Sequence, residues 1–206
     1  MSVRIIEMQG RVDYDDGIRI QEMEKERVLS GKSPGSIFLL EHDPPVITIG
    51  RRGGRENFLA GEDEILRRGY LVRSTGRGGD VTVHEPGQVV AYFVLPVSPK
   101  RGASFAGAVL GIVEKAMRRH LPAVRIDHER PGLWIEGRKI CSCGFDMTGG
   151  VSMHGIALNV SNTLEGFSLV VACGLRGAEM TTLSRELGRA VDSALGGAIS
   201  KLIARG

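Results

Sequence analysis

The sequence predicts an α+β fold, a mixed and largely antiparallel β-sheet flanked by helices. Short strand-like runs outnumber helical ones, and few helices fall between consecutive strands. A doubly wound parallel sheet would need helices alternating with strands far more regularly. The longest helical pattern, residues 104–120, carries Phe105, Val109, Val113 and Met117 at i, i+4, one apolar stripe that has to pack on a sheet.

Taken in order, residues 3–8 read as a strand and 18–29 as a charged amphipathic helix. Gly31 to Gly35 forms a turn. Residues 36–41 and 46–49 are apolar strands around the stiff Asp43-Pro44-Pro45 link. Residues 50–55 form a Gly/Arg loop and 62–68 a short helix. Strands follow at 71–74, 81–84 and 88–95, then the 104–120 helix. After it come strands at 133–135, 139–145 and 151–158, divided by turns at Glu136-Gly137-Arg138 and Thr148-Gly149-Gly150. A last helix is expected over 189–204, with Val191, Leu195 and Ile199 inward.

The 206 residues suit one domain spanning 1–206, with no repeat and no linker. A net charge of +3 without a basic run, and 5% aromatic residues, argue against a nucleic-acid partner. No apolar run reaches the roughly 20 residues of a membrane helix. Residues 1–6 show no apolar core followed by a cleavage site, so no secretion signal is expected. Three cysteines, an odd number, fit a reducing cytoplasmic setting better than a disulfide framework. A monomer is expected.

Neither Gly50 to Gly53 nor Gly76 to Gly79 fits a phosphate-binding or dinucleotide-binding glycine motif. The five histidines, His42, His84, His120, His128 and His154, are scattered, and Cys141-Ser142-Cys143 is too tightly spaced for a zinc pair. No metal is expected. Thiol chemistry remains. Cys173 stands after an apolar run and directly before Gly174, a step that can expose sulfur. Near neutral pH a free thiol is only a few per cent ionised, so a nucleophilic cysteine needs a helper. His84, His154 and Lys139 are the candidates.

The motifs RGGDVTVHEPGQVVAYFVLP, GLWIEGRKICSCG, VSMHGIALNV and ACGLRGAEMTTL occur in this order, with a weaker echo in LLEHDPPVITIGRRG. Together they resemble the lipoyl(octanoyl) transferases over most of the chain. That resemblance implies the sheet-and-helix fold shared with biotin and lipoate protein ligases. It also implies an acyltransferase activity that moves an octanoyl group from acyl carrier protein to a lysine of lipoate-dependent proteins. Cys173 matches the acyl-accepting cysteine and Lys139 the base. Arg77, Gly78, Gly79, Asp80, Val81, Thr82, Val83, His84, Ser142, Cys143, Gly144, Gly155, Ile156 and Ala157 match pocket segments, and His154 is a positioning candidate. The resemblance implies octanoyl-acyl carrier protein as donor, and lipoyl domains of 2-oxoacid dehydrogenases and the glycine cleavage H protein as acceptors. It implies no cofactor beyond the carrier's phosphopantetheine.

The family usually has an aromatic residue at Val83, glycine at Glu85, and Asn-Pro at Val171-Ala172. Gly78, Gly79 and Gly155 are expected to offer backbone N–H groups to an oxyanion, and Val81 and Val83 apolar surface to the chain. Seven buried methyl and methylene groups contribute roughly 5 kcal/mol before costs. Three rivals are an ATP-dependent lipoate or biotin ligase on the same fold, a lipoyl-domain amidotransferase, and a non-catalytic acyl-binding module.

Overall fold

The computed structural model describes residues 2–191 except Pro99, Arg101, His128 and Arg176. Its larger sheet contains β1 (Arg4–Val12), β2 (Ser36–His42), β6 (Gln88–Val94), β10 (Met153–Asn159), β9 (Arg138–Asp146), β8 (Gly132–Ile135) and β7 (Arg125–Asp127), side by side in that order. The short β11 (Glu179–Met180) pairs with β9. A second sheet has β4 (Leu71–Ser74), β3 (Val46–Ile49) and β5 (Val81–His84) in that order. The β1/β2, β3/β4 and β9/β11 pairs are parallel, and the remaining pairs are antiparallel. The mixed, largely antiparallel sheet is therefore as expected.

Alternation along the strands sorts side chains to two faces of the large sheet. Ile37, Leu39, Ala91, Phe93, Ile156 and Leu158 pack against Val109, Leu110, Val113 and Met117 of helix α3 (Gly102–Met117). Phe38, Leu40, Val90, Tyr92 and Val94 face the other way, with Val28 of helix α1 (Tyr14–Leu29). The small sheet has its own core: Ile47, Ile49, Val81 and Val83 with Tyr70, Leu169, Val170 and Ile65 of helix α2 (Glu62–Arg67).

Several boundaries differ from the sequence reading. Helix α1 begins at Tyr14, four residues before the expected start, where the Asp13 side chain caps it by accepting from the Asp15 N–H; its buried side also includes polar residues. Gln21 accepts from the backbone N–H of His154 at 2.6 Å, and Glu24 accepts from Arg4, Ser33 and Ser36. Strand β7, β11 and a short helix α4 (Leu183–Leu187), capped by Thr182, are additions. The helix expected over 189–204 is not present at 189–191, and the rest of it lies outside the described residues.

Candidate functional site

The cavity lies in the seam between the two sheets and has a volume of about 380 Å³, within the usual range for small-molecule sites. Its floor is the large sheet. Cross-strand pairing sets Tyr92, Gly155 and Gly144 in one row and Val90, Ala157 and Ser142 in the next. Its roof is β5 with the loop before it. Tyr14, His84 and Tyr92 enclose the inner end, while Arg52 and Glu129 stand exposed at the rim.

The glycine-rich loop lies directly on the end of β9. Gly78 N–H donates to the Phe145 carbonyl at 2.8 Å, and a Cβ on Gly144 would sit 2.7 Å from the Gly78 oxygen. Gly78 is thereby committed to packing, off the cavity, and its N–H is not available to an oxyanion. Gly155 lines the cavity, but it is laddered between β6 and β9, and a Cβ there would collide with the Ala91 carbonyl. Of the three expected oxyanion donors, Gly79 alone lines the cavity with an N–H that meets no acceptor among the described residues. The N–H of Cys173 is likewise uncommitted.

On β5, alternation decides which side chains the cavity receives. Val81 and Val83, expected to line it, point into the core of the small sheet. Thr82 and His84 line the cavity instead. Thr82 Oγ1 is buried without a hydrogen-bond partner among the described residues. Arg77 is buried between the sheets, donating from Nε and Nη2 to Thr48, and no carboxylate among the described residues pairs with it.

The three buried histidines are held neutral. Burial pushes His42 and His154 down to about 4 and holds His84 well below the usual range. Gln88 gives both amide hydrogens to Val83 O and Asn159 Oδ1, so its oxygen accepts from His84 Nδ1 at 2.8 Å, leaving Nε2 as an acceptor. His42 Nδ1 donates to Val12 O and its Nε2 accepts from the Tyr92 hydroxyl at 2.6 Å. His154 has a left-handed backbone, φ 60°, which interrupts strand alternation. Its ring lines the cavity edge-on to Tyr92.

Lys139 reaches the cavity through a bulge. Leu133 pairs with Cys141, but the next residue, Trp134, pairs with Lys139, so Ile140 is an extra residue in β9. Ile140, Cys141 and Phe145 all pack in the core beneath α3, while Lys139 emerges on the side of Ser142 and Gly144. Without the bulge, Lys139 would share the core side with Cys141. Gly132 makes room for its stem: a Cβ there would lie 2.6 Å from Lys139 Cε. The Lys139 ammonium sits 5.5 Å from the centroid of the Trp134 ring, within cation–π range.

The ammonium's hydrogen-bond partner is Cys173. Lys139 Nζ donates to Cys173 Sγ at 3.0 Å, although the two residues are 34 apart in the chain. Lys139 is 2% exposed, and no carboxylate among the described residues lies in ion-pair range of it. Cys173 itself is half-buried, in a tight turn over Ala172–Gly174, with φ 58°. That conformation costs a non-glycine residue about 1–2 kcal/mol and holds the sulfur out from the turn.

The approach to this turn is fixed by the small sheet. Val171 N–H donates to Asn57 O at 2.7 Å, Leu59 N–H donates to Leu169 O, and Val170 and Ala172 are buried in the small-sheet core. These contacts hold the segment without a proline at 172. Glu85 lies outside the cavity. It accepts from Tyr70, Asn162, Leu164 N and Gly166 N at 2.7 to 3.3 Å, anchoring the stretch that leads to Cys173.

The other two thiols are different. Burial pushes the Cys143 thiol up to about 12 and Cys141 higher still, so both behave as small apolar groups. Gly132, Trp134, Tyr14, Tyr92, Arg52 and Gly174 are among the site residues that sequence reasoning missed. Gly132 and Trp134 lie in the GLWI motif, but nothing in it signals contact with Lys139. Among the described residues no three His, Cys, Asp or Glu side chains converge as a metal site.

This mixed sheet has the fold of the lipoate protein ligases. The structure titled lipoate-protein ligase A bound with ATP superposes with a TM-score of 0.74 at 15% identity, covering all of this chain and 83% of that one. Residues 13–195 match the model of the lipoyl protein ligase A/B catalytic domain, and the chain belongs to that family. Among its relatives, the octanoyltransferase of Maridesulfovibrio salexigens is 36% identical over 187 residues, 89% of this chain and 86% of that protein. The octanoyltransferase of Nitratidesulfovibrio vulgaris strain Hildenborough is 41% identical over 182 residues, 86% of this chain and 82% of that one.

Proposed function

We propose that the protein is an octanoyltransferase of lipoate biosynthesis, working through a thioester on Cys173. The observation that carries the reading is the 3.0 Å contact between Lys139 Nζ and Cys173 Sγ at the edge of the cavity. The donor is octanoyl-acyl carrier protein and the acceptor is a lysine of a lipoyl domain. A thioester is already activated, so the transfer draws on no nucleotide or other cofactor. Three free thiols suit a reducing cytoplasm.

The reaction begins from a Cys173 thiolate beside the Lys139 ammonium. The sulfur attacks the octanoyl carbonyl, and the oxyanion is received by the N–H groups of Gly79 and Cys173. As the carbonyl re-forms, the pantetheine sulfur departs with the proton of Lys139, which becomes neutral. The acceptor amine then attacks the acyl-enzyme. Lys139 takes one of the protons it loses, and Cys173 leaves as a thiolate, restoring the starting pair. The acyl tail lies across the floor from β9 to β6, a run of roughly 10 Å or two inter-strand spacings. Ser142, Ala157 and Gly144 leave it room there, and Val90 and Tyr92 close the far end.

Mass spectrometry after mixing with octanoyl carrier protein tests the scheme. The expected product is an octanoyl adduct on Cys173, absent from Cys173→Ala. A fully active Cys173→Ala variant refutes it. Lys139→Met should slow acylation by 10²–10⁴-fold, the usual contribution of a positioned acid–base group. Pyrophosphate release from ATP and free lipoate would instead mark a ligase.

A further inference from the structure

The geometry points to Asp80 as the carboxylate that receives the ε-ammonium of the acceptor lysine; the inference rests on the octanoyl-transfer reading. Asp80 lines the cavity and is only partly buried. Its carboxylate is wedged between two glycines. A Cβ on Gly53 would lie 2.5 Å from Oδ1, and one on Gly174 would lie 2.5 Å from Oδ2. Gly174 follows the nucleophile directly, so Oδ2 lies no more than about 8 Å from the Cys173 Cα, given the 3.8 Å step between neighbouring Cα atoms. The two oxygens are used differently. Oδ1 accepts from Asn57 Nδ2 at 2.8 Å and from Val81 N–H at 2.6 Å, which fixes the group. Oδ2 accepts from no donor among the described residues.

The charges around the cavity leave this task to Asp80. Arg52, Arg77, Arg130 and Lys139 line it, but Arg130 is paired with Asp127 and Lys139 is neutral once the acyl-enzyme has formed, so among the described residues Arg52 and Arg77 face Asp80 and Glu129. Arg77 is buried against Thr48 and Glu129 stands exposed at the rim, and Asp80 is the acid set against the Cys173-Gly174 backbone. Proton accounting gives a second reason. When an ammonium becomes an amide nitrogen it sheds two protons. The N–C bond to the acyl carbon forms, the C–S bond breaks, and its electron pair returns to Cys173. Lys139 takes one proton. The other has to leave before attack, at a point that solvent reaches, and Lys139 is 2% exposed. Asp80 holds the ammonium there while that proton passes to bulk water.

The test separates the two half-reactions. Wild-type and Asp80→Asn enzymes are loaded with octanoyl thioester, freed of donor, and the Cys173 adduct is confirmed by mass. Each is then mixed with a lipoyl domain, whose lysine arrives charged, or with hydroxylamine, which is neutral near pH 7. Asparagine retains an oxygen for Asn57 and Val81 and removes the charge. The expected result is transfer to the lipoyl domain slowed about tenfold more than transfer to hydroxylamine, the loss of one charge-assisted contact. Equal slowing of both, or of neither, overturns the inference. Absence of the adduct in wild type overturns the octanoyl-transfer reading instead. If Asp80→Asn does not fold, wild-type acyl-enzyme and a short lysine peptide decide the matter. Raising ionic strength must slow aminolysis and spare hydroxylamine, and equal behaviour refutes the role of Asp80.

Discussion

Replacing Gly132 by alanine probes the reactive pair without touching either member. The new Cβ would lie 2.6 Å from Lys139 Cε and must open to at least 3.4 Å, so the lysine stem withdraws by about 0.8 Å. The Cys141 carbonyl blocks relaxation on the other side, and φ of 144° at this position strains any residue with a Cβ. The Nζ to Sγ distance of 3.0 Å then opens to nearly 4 Å, the outer limit of a hydrogen bond to sulfur. Misplacement on this scale costs about 10²-fold in rate. The assay is the rate of Cys173 acylation by octanoyl carrier protein in single-turnover mode, with thermal unfolding run alongside to establish folding. A folded Gly132→Ala enzyme that acylates at the wild-type rate would show that the amine does not act from its observed position.

Glu85→Gln should destabilise the protein by about 2–4 kcal/mol, because buried donors lose a charged acceptor. At roughly 2–4 °C per kcal/mol the shift is easily read in a melting curve, and a loss under about 1 kcal/mol would refute the anchoring role. Thr82→Val should be neutral or slightly stabilising in urea unfolding, since the Thr82 hydroxyl it removes is unpartnered; a clear loss would reveal a missed partner. Stability should also fall with acid. His42 and His154 titrate near 6.5 when unfolded and about 4 when folded, so the unfolded chain binds more protons between those values. Their contribution is complete above pH 6.5 and is lost progressively as pH falls toward 4. A flat unfolding free energy across that window would contradict neutral burial.

Much of the fold was legible because hydrophobic alternation and turn residues mark strands reliably: the runs at 46–49, 71–74 and 81–84 coincide with β3, β4 and β5. The start of α1 was hidden because its first turn, Tyr14 to Gly17, turns only a tyrosine and a glycine to the buried side. The site was legible as motifs but not as orientation. Val81 and Val83 suggest an apolar wall, yet their own packing turns Thr82 and His84 toward the cavity. The face of Lys139 depends on one extra residue, Ile140, and a bulge leaves no mark in the apolar pattern. Gly132, Gly144 and Gly174 are similar: their necessity comes from distant backbone and side chains, which only the assembled fold brings near.

A cavity set in the seam between two separately packed sheets has a thermodynamic corollary. On the proposed reaction, the fatty tail is interior filling that the chain does not encode, and it ties the small sheet to the large one while the thioester lasts. The loaded enzyme should therefore melt later than the empty one, and delivery of the acyl group should loosen the seam again. The cargo's own departure would in this way relax the molecule for its next round.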